Sequence, residues 1–163
     1  MDSKIKYSVH ADGSMELAVI GSLDESSEVF LNNALSELKS SCVVDFSQTN
    51  NVNSCGVRAW IQFLQKAEEK ATISFANCVP DIVIQMNMIP AFKGGAKIIS
   101  LQAPFFCEDC GKTKNVTQSM LDASFDELIE TSNNIACESC KAKMELEEVA
   151  EDYYAFLEED LAS

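Results

Sequence analysis

Histidine is nearly absent from this sequence of 163 residues, which contains only His10. With one imidazole, any Ser/His/Asp catalytic set would have to use His10, and His10 has no evident basic or metal partner. None of the six glycines forms a phosphate-binding loop. Because nothing here supplies a catalytic set, we expect a protein that is not an enzyme.

Long hydrophobic segments are missing as well. No stretch approaches the roughly 20 apolar residues of a membrane helix, and the chain opens Met1-Asp2-Ser3-Lys4 without an apolar signal segment. No repeat, low-complexity tract or flexible linker interrupts the sequence, and a hydrophobic content of 47% is a globular value. We therefore expect a soluble cytoplasmic protein with reduced thiols and no membrane partner.

Basic residues are few, with 12 Lys and Arg against 26 Asp and Glu. Residues 1–103 carry 11 acidic and 8 basic side chains, whereas residues 104–163 carry 15 acidic and 4 basic ones. A nucleic-acid surface needs clustered Lys and Arg, so this charge excludes nucleic acid as a partner. The acidic C-terminal part fits a basic protein partner or, more commonly, a surface that keeps the protein in solution.

Two Cys-x-x-Cys pairs, Cys107/Cys110 and Cys137/Cys140, stand out among what the sequence does contain. Four thiolates complete a tetrahedral shell for Zn²⁺ and leave no open position, so this pattern predicts a structural zinc site. The 26 residues between the pairs leave room for a two-strand or helical excursion inside the metal loop. Thiol-redox or disulfide chemistry and an iron–sulfur cluster remain the alternatives.

The first hundred residues predict the element order β-β-α-β-α-β-α-β, in which strands alternate with amphipathic helices. Such alternation is typical of an α/β fold with a mixed, mainly parallel sheet, and the initial hairpin adds an antiparallel edge strand. Residues 47–53 are expected to be a polar connection. The strands are predicted near residues 4–10, 15–20, 42–46, 71–76 and 96–101, and the helices near residues 25–39, 54–70 and 80–89.

The domain organisation follows from the same patterns. Residues 1–103 form the α/β domain, and residues 104–163 form a small segment that the four cysteines staple together. Within that segment, apolar spacing predicts helices over residues 121–131 and about 146–160. The terminal helix has an apolar stripe, which we expect to pack on its own domain; binding a partner is the alternative.

A second candidate site lies where the predicted second helix begins. Residues 50–57 follow a presumed central parallel strand, at the edge where open α/β sheets bind ligands. Ser54 and Cys55 would occupy the helix N-terminus, where free N–H groups and the helix dipole favour a phosphate on Ser54. The simpler interpretation is structural: Asn53 and Ser54 are good capping residues, and Gly56 allows close packing of the helix on the sheet.

The first 103 residues or so resemble the STAS domain, typified by bacterial anti-sigma-factor antagonists. The resemblance rests on residues 21–24 (Gly-Ser-Leu-Asp), residues 43–47 (Val-Val-Asp-Phe-Ser) and residues 52–57 (Val-Asn-Ser-Cys-Gly-Val). It implies a protein partner, and it places Ser54 on the serine that a partner kinase phosphorylates in that family. The Cys-rich segment lies outside the resemblance.

Three residues depart from the Asp-Ser-Ser/Thr-Gly-Leu sequence that the family often shows: Asn53 replaces Asp, Cys55 replaces a hydroxyl residue and Val57 replaces Leu. Asp24 and Asp45 are expected to be structural.

The leading hypothesis is a non-enzymatic interaction module in bacterial signalling, resembling anti-sigma-factor antagonists. In it, residues 50–58 dock a kinase or an anti-sigma-like regulator, and phosphate on Ser54 controls the docking. The partner-binding residues would be Asn53, Ser54, Cys55 and Gly56. Two alternatives remain: a thiol-redox protein that uses the Cys-x-x-Cys pairs, and a constitutive STAS scaffold subunit that binds its partner without phosphorylation.

Overall fold

The structure of the protein is a computed structural model, and it describes residues 4–121 and 124–157. Nine strands and six helices lie within these residues. The strands are β1 Lys4–Val9, β2 Ser14–Leu23, β3 Ser41–Asp45, β4 Thr49–Val52, β5 Thr72–Ala76, β6 Lys97–Ile98, β7 Ser100–Phe106, β8 Thr113–Ser119 and β9 Glu145–Leu146. The helices are α1 Ser27–Glu37, α2 Ser54–Lys70, α3 Pro80–Met88, α4 Pro90–Lys93, α5 Phe125–Ser132 and α6 Ala150–Tyr153.

The larger sheet is mixed and mainly parallel, which confirms the predicted α/β class. Its strands run in the order β1-β2-β3-β5-β6, with β4 paired to the end of β2. β1 is antiparallel to β2, whereas every other pairing in this sheet is parallel. The predicted hairpin therefore supplies the antiparallel edge, and β3 lies at the centre of the sheet.

Aromatic rings fill the core between this sheet and its helices. Phe46, Trp60, Phe75 and Phe92 are all fully buried, and their ring centroids lie 5.1 to 6.3 Å apart. The Trp60 indole N–H donates to the carbonyl of Phe92 at 2.9 Å, so its polar atom is satisfied inside the core.

A second, three-stranded antiparallel sheet follows, in the order β8-β7-β9. The chain passes from one sheet to the other at Ile99, whose N–H donates to Phe75 and whose carbonyl accepts from Met120. The prediction of a single strand over residues 96–101 is therefore wrong, because these residues divide between β6 and β7. β7 itself runs across residue 103, where we predicted the domain boundary.

Three other element predictions differ from the structure. Residues 47–53 are not a plain connection, because β2 continues beyond β3 and its free edge pairs with β4. The polar sequence hid this strand, whose Thr49 is buried and donates its hydroxyl to Val19.

The terminal helix was predicted to begin at 146, yet residues 145–146 pair with β7 as β9 and α6 begins at Ala150. A turn at Tyr154 interrupts the helix before residues 155–157, and residues 158–160 of the prediction lie outside the described ranges. The predicted helix over 121–131 begins at Phe125 instead, after a capping box formed by Ser124 and Glu127.

The terminal helix was expected to pack on its own domain, and its residues contact both Gln118 of β8 and Asn87 of α3. Tyr153, Tyr154 and Phe156 are buried. Asn87 of α3 clamps them, because its amide nitrogen donates to Tyr153 and its oxygen accepts from the Phe156 N–H. Within residues 4–121 and 124–157, no helix combines the length and the apolar character needed to cross a bilayer.

Candidate functional site

The four cysteines of the two Cys-x-x-Cys pairs meet at one place. Their Sγ atoms all lie within 4.8 Å of one another. Cys107 and Cys140 approach to 3.4 Å, and Cys110 and Cys137 approach to 3.6 Å. These two contacts join one pair to the other, and all four sulfur atoms lie close enough together to share one ion.

Both pairs lie in turns with the same backbone pattern. The Gly111 N–H donates to the carbonyl of Cys107, and the Lys141 N–H donates to that of Cys137, at 2.8 and 2.9 Å. Gly111 and Lys141 both adopt positive φ, at 73° and 67°. Positive φ is uncommon for a residue other than glycine, so its presence at Lys141 indicates that the turn itself requires it.

Hydrogen bonds from the second turn act on the thiols. The N–H groups of Cys140 and Ser139 lower the pKa of Cys137 to about 6. For Cys140, the Ala142 N–H lowers the pKa, but hydrogen bonding to Cys107 and desolvation outweigh it and raise the pKa to about 12. Without an ion, these hydrogen bonds therefore favour the thiolate at Cys137 and the protonated thiol at Cys140.

The geometry fits a metal ion and does not fit disulfides. In a tetrahedral site with Zn–S bonds of about 2.3 Å, sulfur atoms lie about 3.8 Å apart. The observed separations of 3.4 and 3.6 Å are near that value and far from the roughly 2.05 Å of a covalent S–S bond. All seven cysteines are free thiols. The four clustered thiols could therefore hold a metal ion.

The other three cysteines lie elsewhere. Cys42 and Cys78 are fully buried in the core, and burial raises the pKa of both thiols, that of Cys42 to about 12. Cys55 is exposed on α2. These thiols are no part of the cluster, and the two buried ones behave as small apolar side chains.

The second candidate site lies at the start of α2, as the sequence predicted. Asn53 is the N-cap residue, and its Oδ1 accepts from the Gly56 N–H at 2.8 Å. Its amide nitrogen donates to Glu25 at 3.0 Å. Ser54 is exposed in the first helical turn, which carries no acidic residue of its own.

Gly56 has a packing role. A Cβ atom there would lie 1.9 Å from the carbonyl oxygen of Leu23 and 2.6 Å from the Asp24 nitrogen, both of which are backbone atoms. The first turn of α2 therefore lies directly against the end of β2. This contact sets the distance between the first turn of α2, which carries Ser54, and the end of β2.

A shallow groove of about 610 Å³ lies beside Ser54, between α2 and α3; we call it the Ser54 groove. Its walls are largely apolar, and α3 supplies one side of it. No local pattern in the sequence indicated that side, because the position of α3 relative to α2 depends on tertiary structure. The lining residues are Val52, Asn53, Ser54, Val57, Arg58, Ile61, Gln62, Gln85 and Ile89.

Charged residues lie on the other side of Ser54. A second depression there is lined by Glu25 and Glu28 together with Ser54, Cys55 and Arg58. Arg58 lines both depressions. Ser54 thus stands on a ridge between an apolar groove and an acidic one.

The remaining polar residues considered from the sequence lie apart from these sites. His10 pairs with Glu16 at 3.1 Å on the hairpin surface, a partner that the sequence did not indicate. Asp24 accepts from Ser26 before α1, and Asp45 accepts from the Ser47 N–H. The two carboxylates thus hold turns, in agreement with the structural role that we expected.

Comparison with known proteins gives little. No family model matches the chain, and no curated protein matches it. Among solved structures, the chain is similar to the anti-sigma factor antagonist SpoIIAA in its unphosphorylated form, with a TM-score of 0.43 and 14% sequence identity. That match covers 81% of this chain and 100% of the other. At this TM-score the likeness carries no argument about function.

Proposed function

We propose that the protein is a non-enzymatic interaction module of a signalling pathway. The surface around Ser54 docks a regulatory protein, and phosphorylation of Ser54 by a partner kinase weakens that docking. The observation that carries the proposal is the position of Ser54, which is exposed in the first turn of α2 at the rim of the apolar Ser54 groove.

The groove supplies the binding energy in this proposal. Exposed apolar surface continues from it along α3, where Met88 is 70% exposed and Ile84 37% exposed. Apolar surface that a partner removes from water contributes about 25 cal/mol per Å² before the cost of association. A docked partner would therefore cover the groove and pass directly over the Ser54 hydroxyl.

The charges explain how a phosphate would act. A phosphoserine adds a charge of about −1.5 to −2 at neutral pH. The helix dipole and Arg58 stabilise this charge, so modification leaves the fold intact. The new charge also joins Glu25 and Glu28, so a partner with an apolar or acidic contact face is repelled. The motif at residues 52–57 resembles the phosphorylated motif of STAS domains, and this resemblance supports Ser54 as the site of phosphorylation.

The test has two parts, modification and binding. Mass spectrometry after incubation with candidate kinases should place the phosphate on Ser54. With a partner protein that co-purifies with the chain, we expect Ser54→Asp to weaken binding at least about tenfold, or roughly 1.4 kcal/mol, and Ser54→Ala to preserve it. Ser8→Asp, on the exposed face of β1, controls for added charge.

Each alternative gives a distinct result. Unchanged partner binding by Ser54→Asp would contradict the switch. Stable binding with no phosphorylation under any condition indicates a constitutive scaffold. Substitutions that place a charge in the groove, such as Ile61→Glu, should abolish docking in both cases, so they test the surface separately from the switch.

We further propose that the clustered cysteines bind Zn²⁺ in a structural role. Four thiolates with no open position match zinc as a staple and leave no room for a reacting water. The resident ion would neutralise part of the thiolate charge and join the β7–β8 turn to the turn before β9. Metal analysis should find about one zinc ion per chain under reducing conditions. Labile disulfides in metal-free protein would favour the thiol-redox alternative.

A further inference from the structure

The outer edge of β8 is unusual in this protein. β8 is the first strand of the β8-β7-β9 sheet, so one of its sides pairs with β7 and the other has no strand partner among residues 4–121 and 124–157. At seven residues it is as long as β7. A strand edge of this length presents a row of backbone donors and acceptors, and proteins commonly cover or interrupt such an edge.

The pairing shows which backbone groups face outward. The Met120 N–H donates to Ile99, and residues alternate along an antiparallel ladder. With the register Gln118↔Leu101 and Val116↔Ala103, the N–H and C=O groups of Val116 and Gln118 point to β7. Those of Asn115, Thr117 and Ser119 therefore point away from the sheet.

A groove of about 370 Å³ runs along this edge, between β8 and α5; we call it the β8 groove. Apolar side chains provide most of its floor, and Leu121 at its end is 51% exposed. The lining residues are Val116, Thr117, Gln118, Ser119, Leu121, Glu127, Leu128, Thr131 and Ile135. An extended chain next to β8 would bury this surface with alternate side chains.

Gln118 supplies an independent sign of a missing acceptor. Its side chain is 94% buried, since 6% is exposed, and its Oε1 accepts from the Tyr154 hydroxyl at 2.6 Å. Its Nε2, however, has no hydrogen-bond partner within the described residues. A buried amide donor without an acceptor costs roughly 1–3 kcal/mol. Gln118 lines the groove, so a rotation of its side chain would let a ligand carbonyl accept from this nitrogen.

Charge selects the occupant. Glu127 lines the groove, and Asp126 and Glu130 are exposed on the same helix. No lysine or arginine lines it, and Lys114 on β8 forms an ion pair with Glu138. A second copy of this chain, with a net charge of −14, would meet like charge here. A basic peptide would meet opposite charge.

We propose that β8 is a docking edge for an extended, basic segment of a partner protein, which adds as a fourth strand outside β8. Its backbone pairs with Asn115, Thr117 and Ser119, and its apolar side chains fill the β8 groove. Its lysines or arginines alternate with them on the other face of the strand, and their long side chains bend back towards the carboxylates of α5. This site is separate from the Ser54 surface and does not depend on the function proposed for it.

The probe is a fluorescein-labelled peptide, Lys-Val-Lys-Val-Lys-Val-Lys, with N-methyl groups on alternate residues. One edge of this peptide can pair and the other cannot, so it does not stack on itself. We expect saturable binding to the zinc-loaded full chain, measured by fluorescence anisotropy. The same peptide methylated on every amide should not bind, and neither should a version with Glu in place of Lys.

Variants locate the site. Thr117→Pro removes an outward N–H and should weaken binding about tenfold, whereas Thr117→Ala keeps that N–H and should stay within about twofold. Glu127→Gln removes the charge but keeps the capping box, and we expect a loss of about threefold that salt abolishes. Glu151→Gln on α6 should change nothing. Zinc content and Trp60 fluorescence confirm that each variant is folded.

The results that would overturn the proposal are equally definite. Binding of the fully methylated peptide, or of the Glu peptide, would mean that neither backbone pairing nor charge selects the ligand. A concentration-dependent dimer that Thr117→Pro abolishes would assign the edge to a second copy instead. Ser54→Asp should bind the peptide normally, so failure of one proposal leaves the other standing.

Discussion

The two sheets of this protein are stabilised by different means. The larger sheet is covered by helices whose aromatic side chains share one core, in which Phe46 and Trp60 are fully buried. In the smaller sheet, most residues of β8 are exposed and β9 has two residues. Of this sheet, β7 contributes Leu101, Ala103 and Phe105 to the shared hydrophobic core, whereas β8 and β9 contribute little apolar surface of their own.

In the structural role proposed above, an ion held by the four sulfur atoms would stabilise this outer part of the sheet. The sulfur atoms lie at the end of the small sheet, where they join turns that are 26 residues apart in sequence. Closing such a loop with an ion reduces the conformational entropy of the unfolded chain and links the two turns in the folded one. The comparison therefore teaches that the cysteine pairs lie at the end of the sheet where the exposed strands share least of the hydrophobic core.

The largest expected effect is the loss of a sulfur ligand. Cys137→Ser should reduce bound zinc from about one ion per chain to nearly none, because structural zinc binding in small domains is worth roughly 10–16 kcal/mol. Hydrogen exchange should then show loss of protection in β8 and β9, while α2 stays protected. The matched control is Cys55→Ser, since Cys55 is exposed and outside the cluster. Zinc retention by Cys137→Ser would show that three ligands suffice.

The converse change tests the aromatic core. Trp60→Ala removes a fully buried indole and its hydrogen bond to Phe92, and it should lower the free energy of unfolding by about 3–5 kcal/mol. Urea unfolding followed by circular dichroism measures this loss. Trp60→Phe keeps an aromatic ring and should cost less. Zinc should stay bound, because the aromatic rings that pack on Trp60 belong to the larger sheet and its helices. Release of zinc would mean that the two sheets unfold as one unit.

Sequence patterns predicted the elements that apolar periodicity specifies. The hairpin, α1, α2 and the two central strands lie within a few residues of their predicted bounds. The strand at residues 49–52 was not predicted, because Thr-Asn-Asn-Val contains no apolar alternation. Its position follows from the length of β2, which only the tertiary structure reveals. The start of the terminal helix failed for a related reason: residues 145–146 pair with β7, and this pairing overrides a helical apolar spacing.

The candidate sites divide in the same way. Cysteine spacing alone predicted that the four sulfur atoms meet, because two Cys-x-x-Cys pairs in a reduced protein most often bind a metal ion. The first turn of α2 was predictable from Asn53 and Gly56. The Ser54 groove was not, since Gln85 and Ile89 reach it from a helix that is about 30 residues further along the chain. The free edge of β8 could not be predicted either, because no local sequence pattern specifies the order of strands in a sheet.

A smaller effect is expected at the joint between β2 and α2. Gly56→Ala would place a methyl group 1.9 Å from the Leu23 carbonyl, so the helix must shift, at a cost of about 1–3 kcal/mol. Thermal unfolding measures the change, and binding at the Ser54 groove should weaken with it. Gly95→Ala is the control, because the nearest atoms there lie at 3.6 Å or more. Equal stability of both variants would mean that α2 moves freely on the sheet.

The smallest effect concerns the seam between the two regions. Asn87→Ala removes both hydrogen bonds that hold the chain at Tyr153 and Phe156 against α3, and it leaves a carbonyl and an N–H without partners. We expect hydrogen exchange of residues 150–156 to speed up about tenfold, equivalent to about 1.4 kcal/mol of local stability. Gln85→Ala on the same helix should leave that exchange unchanged. Zinc content should also be unchanged, because the clamp and the sulfur cluster act on different parts of the C-terminal chain; loss of zinc from Asn87→Ala would show that the C-terminal residues support the metal site through α3.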